Sequence, residues 1–174
     1  MNKGILLVLS GYLMWGCFPL YWALLNHVNP SEVLIHRMLW AVPVLFFLVH
    51  FKSSWKNNFK DSISSKKELV FLFITAILIT INWGGYIYAV NLGRVVEASM
   101  GYFLSPVINM IGGYIFFQER ISKLKQLAVF LATVGALYYV FSGDSFPWLG
   151  FLVGFTFSAY GIARKAMASS AVPG

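Results

Sequence analysis

The chain has 174 residues, of which 59% are hydrophobic and only 11% are charged, and its mean hydropathy is +0.72. A soluble globular domain carries about 25% charged residues, so this composition excludes an ordinary soluble protein and indicates a membrane protein. The formal net charge of +7 would suggest a nucleic-acid partner for a soluble chain, but here the placement of the charges gives it another cause.

The first part of the sequence predicts two membrane-spanning helices followed by a polar loop. Residues 4–25 form an uncharged apolar run, in which Pro19 predicts a bend because proline removes one backbone hydrogen bond. Residues 32–51 form a second apolar run, with Arg37 about one and a half turns inside it, near enough to the surface to snorkel. Residues 52–68 are rich in lysine, serine and asparagine and form a solvated loop.

The third predicted helix covers residues 69–91 and ends in a polar and aromatic cluster. Asn82 and Tyr86 are four residues apart and share a helix face, and Trp83 lies next to Tyr86 at the shorter spacing. Together with Trp15 and Tyr102, these rings would form a flat, amphipathic lining suited to organic solutes. The alternative for each ring by itself is packing against lipid or at the membrane interface.

The fourth predicted helix, residues 95–117, carries a polar or small residue at every fourth position. This ridge consists of Glu97, Gly101, Ser105, Asn109 and Gly113, and Pro106 interrupts the same helix. Lipid gains nothing from such a ridge, so it faces either a neighbouring helix or a wet cavity. Two interpretations are open, a packing seam with a snorkelling glutamate and a solute path, of which we favour the solute path.

Two further helices complete a six-helix, all-α prediction for a polytopic membrane protein. Residues 124–142 form the fifth helix, and residues 147–163 form the sixth. A weak repeat relates the first helix to the sixth, because Trp15-Gly16 and Tyr160-Gly161 occupy equivalent places. Five helices lie between equivalent points, and an odd number reverses the direction of crossing, so the repeat would be inverted, as in many secondary transporters.

The basic residues predict the orientation in the membrane. In a six-helix chain one side holds Lys3, Lys52, Lys56, Lys60, Lys66, Lys67, Arg120, Lys123, Lys125, Arg164 and Lys165. The other side has Arg94, with Arg37 just inside the membrane. By the positive-inside rule, the N-terminus is cytoplasmic. The expected location is the plasma (inner) membrane. The basic charge therefore reflects topology and predicts no nucleic-acid partner.

The chain resembles the EamA family of the drug/metabolite transporter superfamily, and most closely its RarD-type permeases. The resemblance covers Gly4 to Lys165 and rests on Asn82-Trp83 with Tyr86 and Asn91, on Val96-Glu97-Ala98-Ser99-Met100-Gly101-Tyr102-Phe103 followed by Pro106, on Phe117-Gln118-Glu119-Arg120, on His36-Arg37, and on Tyr160-Gly161 with Arg164-Lys165. The run from Glu97 to Pro106 is the most specific of these motifs.

The resemblance implies a ten-helix protein of two five-helix repeats that handle substrate between them. Residues 1–143 would then be the first repeat, and residues 144–174 the first helix of an inverted second repeat with a truncated tail. The expectation is a fragment, or a chain that needs a homodimer partner or a missing C-terminal repeat. Its function would be secondary-active export of small organic metabolites or drugs by alternating access, in contact with membrane lipid. The alternative is a non-transporting membrane subunit or a partner-binding helical bundle.

The sequence predicts neither an enzyme nor a cofactor. It contains no phosphate-binding glycine loop, no histidine and cysteine metal cluster and no nucleophile elbow. The predicted substrate path consists of Arg37, Asn82, Trp83, Tyr86, Glu97, Ser99, Tyr102, Ser105 and Pro106. Within it, Arg37 would form an ion pair with Glu97, because burial makes unpaired charges costly. A groove open on one side and lined by helices one to four is expected, with a sixth helix that packs weakly.

Overall fold

The computed structural model describes residues 3–51, 65–143 and 145–167 of the chain. Within these ranges the chain forms six α-helices and no strand, which confirms the all-α, six-helix prediction. The helices are α1 (Lys3–Leu24), α2 (Pro30–Phe51), α3 (Lys66–Asn91), α4 (Val95–Phe117), α5 (Lys123–Ser142) and α6 (Trp148–Ala166). Most of the polar loop and of the tail after α6 lies outside the described residues.

Local capping signals explain why several helices begin where they do. The side chains of Ser65 and Ser122 accept hydrogen bonds from the N–H groups three residues later, at 3.5 and 3.4 Å, and start α3 and α5. Asn29 accepts from the N–H two residues later at 2.9 Å, and Pro30 occupies the first position of α2, where its missing N–H costs nothing. The cap at Ser65 is why α3 begins before its apolar run does.

Five helices, α1 to α5, are each long and apolar enough to cross a membrane, with spans of 20 to 26 residues. At 1.5 Å per residue, 20 residues cover the hydrocarbon thickness of about 30 Å. The helix α6 is not among these five, because its last turn carries Arg164 and Lys165 and lowers its average hydropathy. The chain is therefore a multi-pass membrane protein.

The core lies where α6 packs against α4 and α3, which are the most extensive helix contacts of the described chain. The buried residues of α6 are Leu149, Gly150, Val153, Gly154, Thr156 and Ser158. In contrast, the most apolar stretches of α1 and α2 contain no buried residue, as expected of helices that contact lipid. The expectation that the sixth helix packs weakly is therefore wrong.

Small residues explain why α6 packs so closely. A Cβ atom added to Gly150 would lie 2.5 Å from the carbonyl oxygen of Glu97, and one added to Gly154 would lie 2.6 Å from that of Gly101. Real Cβ atoms do not approach backbone so closely, so only glycine fits at this crossing. Gly150 and Gly154 form the small-xxx-small pattern that lets two helix backbones touch in a membrane. The ridge on α4 is thus, over its first half, a packing seam against α6.

Candidate functional site

An open groove of about 580 Å³ runs along the inner face of the bundle. It is lined by Tyr12, Trp15, Gly16 and Pro19 of α1, Tyr86 of α3, Ser99, Tyr102, Ser105, Pro106 and Asn109 of α4, and Phe157 of α6. Its volume falls in the range of about 300–1,000 Å³ that is usual for small-molecule sites. The lining helices are α1, α3, α4 and α6, so α6 takes the place that was expected for α2.

One wall of the groove is a continuous row of aromatic rings. The ring centroids of Tyr86 and Tyr102 are 5.9 Å apart, and those of Tyr102 and Phe157 are 5.4 Å apart in an edge-on arrangement. Aromatic pairs at such separations attract each other through their quadrupoles and hold their orientation. The wall therefore joins α3, α4 and α6, and presents flat apolar faces with two phenol hydroxyls.

Ser105 contributes more to helix packing than to the groove surface. It is buried, and its hydroxyl donates to the carbonyl oxygen of Gly101 at 3.2 Å, one turn earlier. Its own carbonyl accepts a hydrogen bond from the hydroxyl of Ser158 on α6 at 3.3 Å. Pro106 follows directly and removes one backbone donor, which suits a bend beside the groove.

Asn82 is fully buried between α3 and α6 and does not line the groove. Its side-chain NH₂ donates to the carbonyl oxygen of Val153 at 2.7 Å and to the hydroxyl of Thr156 at 3.2 Å. Inside a membrane such bonds between helices are worth about 0.6 to 2 kcal/mol each. Asn82 therefore fastens α3 to α6 behind the aromatic wall.

Glu97 is buried, but its partner is Arg94 and not Arg37. One carboxylate oxygen lies 2.6 Å from a guanidinium nitrogen of Arg94, one helical turn away, and the other accepts the N–H of Leu149 at 2.8 Å. The predicted ion pair between Arg37 and Glu97 is therefore wrong. A residue three positions away can neutralise the carboxylate without bringing another helix to it, and the N-terminus of α6 takes the remaining oxygen.

Arg37 lies instead among aromatic rings next to the groove. Its guanidinium carbon is 3.7 Å from the ring centroid of Trp83 and 5.6 Å from that of Trp22. A small cavity of about 20 Å³ at this point is lined by Trp15, Phe18, Trp22, Arg37, Trp83, Tyr86 and Tyr102. Three of these residues, Trp15, Tyr86 and Tyr102, also line the groove, so Arg37 and Trp83 adjoin it.

The structure thus sorts the nine predicted path residues into three groups. Tyr86, Ser99, Tyr102, Ser105 and Pro106 line the groove; Arg37 and Trp83 line the adjoining cavity; Asn82 and Glu97 bond to α6 outside both. Four further residues of the groove lining were not predicted from the sequence as path residues: Tyr12, Gly16, Pro19 and Phe157. In α1 the sequence does indicate a shared face, because Tyr12, Gly16 and Pro19 recur at helical spacing.

A second cavity, of about 520 Å³, continues from the groove toward the C-terminal end of α4. It shares Pro106 and Asn109 with the groove and reaches Glu119, Arg120 and Lys125. Glu119 pairs with Lys165 at the end of α6, and this hydrogen bond and charge lower the pKa of the Glu119 carboxyl. The described residues hold no group of three histidine, cysteine or acidic side chains suited to a metal ion.

Comparison with known proteins shows what this bundle is related to. The EamA-like transporter family matches residues 2–141. The chain is 36% identical to the uncharacterized transporter YojE of Bacillus subtilis (strain 168), over 94% of the chain and 56% of that protein. It is 36% identical to protein RarD of Escherichia coli (strain K12), over 99% of the chain and 58% of that protein.

A further relative is the chloramphenicol-sensitive protein RarD of Pseudomonas aeruginosa, 29% identical over 99% of the chain and 59% of that protein. No solved structure matches the chain. The chain spans somewhat more than half the length of these curated relatives. The family consists of transporters and not of enzymes, and the resemblance seen in the sequence motifs is confirmed. The chain belongs to the EamA-like transporter family.

Proposed function

We propose that the groove between α1, α3, α4 and α6 is part of the path of a secondary-active exporter for small organic metabolites or drugs. The observation that carries the proposal is the lining of the groove. Flat rings from Tyr86, Tyr102 and Phe157 stand beside the polar side chains of Ser99 and Asn109, around a volume of about 580 Å³. A mostly apolar surface with a few polar groups is what a small organic solute requires.

In this proposal the chain supplies one wall of the path. Residues 1–143 act as a first five-helix repeat, and α6 begins an inverted second repeat that moves in alternating access. The opposing wall comes from a second repeat or from a second copy of the chain. The carboxylate of Glu97 supports the path by holding the start of α6 through Leu149, at 2.8 Å. The distribution of lysines supports a cytoplasmic N-terminus in the inner membrane.

The alternative function is a membrane subunit that binds a partner without transporting a solute. It is favoured by one observation: the ridge residues Glu97, Gly101 and Ser105 pack against α6 and are buried. A seam of small residues serves assembly as well as it serves transport. The two functions differ in their response to an ion gradient. Only a secondary transporter couples the movement of a solute to such a gradient.

The test is solute flux in liposomes, measured for the 174-residue chain and for the chain extended at its C-terminus by the remaining segment of a relative. The solute panel includes chloramphenicol, because the name of one relative mentions it. We expect flux that depends on an imposed proton gradient in the extended form, and none in the chain by itself, since its groove is open. Saturable flux by the purified monomeric chain would contradict the two-repeat proposal.

A groove-filling variant supplies the control for that experiment. Ser99→Trp places a large ring in the groove and should abolish flux in the extended form. Val96→Trp is the matched control, because Val96 lies on the same helix, is exposed and lines none of the cavities described above, so flux should be unchanged. If both variants transport normally, the groove is not the path. If no form transports any solute, the membrane-subunit function stands.

A further inference from the structure

Arg37 is a cation inside the apolar stretch of α2 without an acidic partner among the described residues. The ion pairs of the described chain are Arg94 with Glu97 and Lys165 with Glu119, and no hydrogen bond from Arg37 to another described residue is formed. Its contacts are the faces of Trp83 and Trp22. Ring faces attract the charge but accept none of the five N–H donors in the usual geometry.

Stacking on Trp83 fixes the plane of the guanidinium and leaves its edge available. The guanidinium carbon lies over the ring of Trp83, 3.7 Å from its centroid. In a stacked guanidinium the ring covers one flat face, and the N–H groups lie in the guanidinium plane, directed away from the ring. An edge of this kind matches the two oxygens of a carboxylate through a pair of parallel hydrogen bonds. A lysine at the same position would offer a point charge and no fork.

The surroundings of Arg37 favour an anion and place it at the end of the groove. Arg37 borders the 20 Å³ cavity that shares Tyr86 and Tyr102 with the groove, and also a cavity of about 410 Å³ between α1 and α2. Among the described residues, no aspartate or glutamate lines any of these three cavities. The full charge next to this end of the groove is therefore the positive charge of Arg37.

We propose that Arg37 binds the anionic group of the solute, a carboxylate or comparable oxyanion, while the flat body of the solute lies against Tyr86 and Tyr102. The proposal rests on the proposed function of the groove and names the class of its substrate as organic anions with an apolar body. Arg37 is half-buried, and a charge-assisted hydrogen-bonded pair formed there should raise affinity for an anion over its neutral isostere by about 10- to 100-fold.

The test is binding of three aromatic probes of one shape to the purified chain in phosphatidylcholine nanodiscs. Benzoate is the anion, benzamide the neutral isostere and benzylamine the cation at pH 7, and Trp15, Trp22 and Trp83 around the site provide a fluorescence signal. We expect the chain to bind benzoate most tightly. Arg37→Gln should remove that preference and leave the affinity for benzamide unchanged, which also shows that the variant is folded.

Two further variants sharpen the experiment. Arg37→Lys keeps the charge but loses the fork, so its preference for benzoate should fall between those of the parent and Arg37→Gln. Lys67→Gln removes an exposed positive charge that borders none of the cavities described above, and its preference should match that of the parent. An equal loss in Lys67→Gln would show a general effect of net charge and overturn the proposal.

The remaining outcomes separate this inference from the function of the groove. If benzamide binds as tightly as benzoate, the groove still accepts organic solutes but Arg37 is not an anion site. If none of the probes binds at millimolar concentration, the anion site and the solute groove both fail. If phosphatidylglycerol in the nanodisc competes with benzoate, and is retained by the parent chain but not by Arg37→Gln, the anion is a lipid phosphate and the solute assignment is overturned.

Discussion

At the scale of single residues, the charges of this bundle are neutralised locally. Glu97 forms an ion pair with Arg94, one turn earlier, and accepts a hydrogen bond from the N–H of Leu149 at the start of α6. Its negative charge is therefore balanced by a cation and by a helix N-terminus. Because the carboxylate is buried, removing its charge leaves Arg94 without a partner. Arg94 is one third exposed, so water takes up part of that loss.

We therefore predict that Glu97→Gln lowers the free energy of unfolding by about 1–3 kcal/mol, more than Glu119→Gln does. The measurement is thermal or denaturant unfolding of the chain in detergent. Adding Arg94→Gln to Glu97→Gln should recover part of the loss, because these two residues are partners. Adding Arg37→Gln should give a strictly additive loss, and coupling between Arg37 and Glu97 would contradict the observed pairing.

A second prediction concerns pH and the exposed pair of Glu119 and Lys165. The pKa of Glu119 is lowered in the folded chain by its hydrogen bond to Lys165 and by the charge of that lysine. A lowered folded-state pKa means that the pair stabilises the fold above the ordinary carboxyl pKa and that this contribution is lost as pH falls through the folded-state value.

The stability difference between the parent chain and Glu119→Gln should accordingly be present at pH 7 and vanish at low pH. The measurement is the melting temperature of both proteins from pH 7 downward through the carboxyl range. Because the pair is exposed, the difference should be small. Lys165→Gln should behave like Glu119→Gln at neutral pH. A difference that grows on acidification would show that the ion pair does not stabilise the fold.

At the scale of helices, the crossing of α4 and α6 determines the arrangement of the others. Gly150 and Gly154 of α6 lie against the backbone of α4. On α3, Asn82 donates a hydrogen bond to Val153 and so joins α3 to α6. Since the starts of α4 and α6 meet at Glu97 and Leu149, and their ends at Glu119 and Lys165, the two helices run parallel. The aromatic wall of the groove is a consequence of this three-helix contact.

We predict that Gly150→Ala destabilises the chain by about 1–3 kcal/mol, the usual cost of overpacking. The added methyl group would lie 2.5 Å from a backbone oxygen on α4, which cannot move aside as a side chain can. Gly135→Ala on α5 is the matched control, because no atom lies within 4 Å of its added carbon. The control should be neutral or stabilising, by up to about 1 kcal/mol. Equal unfolding temperatures for both variants would contradict the close seam.

At the scale of the whole molecule, the contacts at the two ends of the bundle agree with alternate crossing. The turn after α1 meets the end of α3, where the side-chain NH₂ of Asn91 donates to the carbonyl oxygen of Asn26 at 3.1 Å. Leu149 and Glu97 meet where α6 and α4 begin, and Lys165 and Glu119 meet where they end. The lysine distribution predicts that the second of these ends, with Glu119, is cytoplasmic.

The corresponding prediction is that the polar loop and the turn before α6 lie on opposite sides of the membrane. Single cysteines at Ser54 and Asp144, both outside the described residues, are introduced in a Cys17→Ser background, since Cys17 is the one native cysteine. An impermeant thiol reagent applied from outside should label the cysteine at position 144 and not the one at position 54. Labelling of both positions from outside would refute the six-crossing topology with a cytoplasmic N-terminus.

The sequence by itself determined the number of helices, their approximate limits and the family. Hydropathy is a local property, and the run from Glu97 to Pro106 is a motif that can be recognised without a fold. Five of the nine proposed path residues also followed, because the face that they share on α3 or α4 is set by helical spacing alone. The pattern Gly150-x-x-x-Gly154 is a further local signal, one of close helix packing in a membrane.

Only the tertiary structure decided the position of α6, the partner of Glu97 and the surroundings of Arg37. Arg37 and Trp83 are 46 positions apart in the chain, and Glu97 and Leu149 are 52 positions apart, so no helical period relates them. Glycine at the crossing allowed α6 to come close enough to take a place in the groove wall. Because α6 then offered an N–H to Glu97 and Arg94 already supplied a charge, Arg37 was left to stack on tryptophan beside the groove.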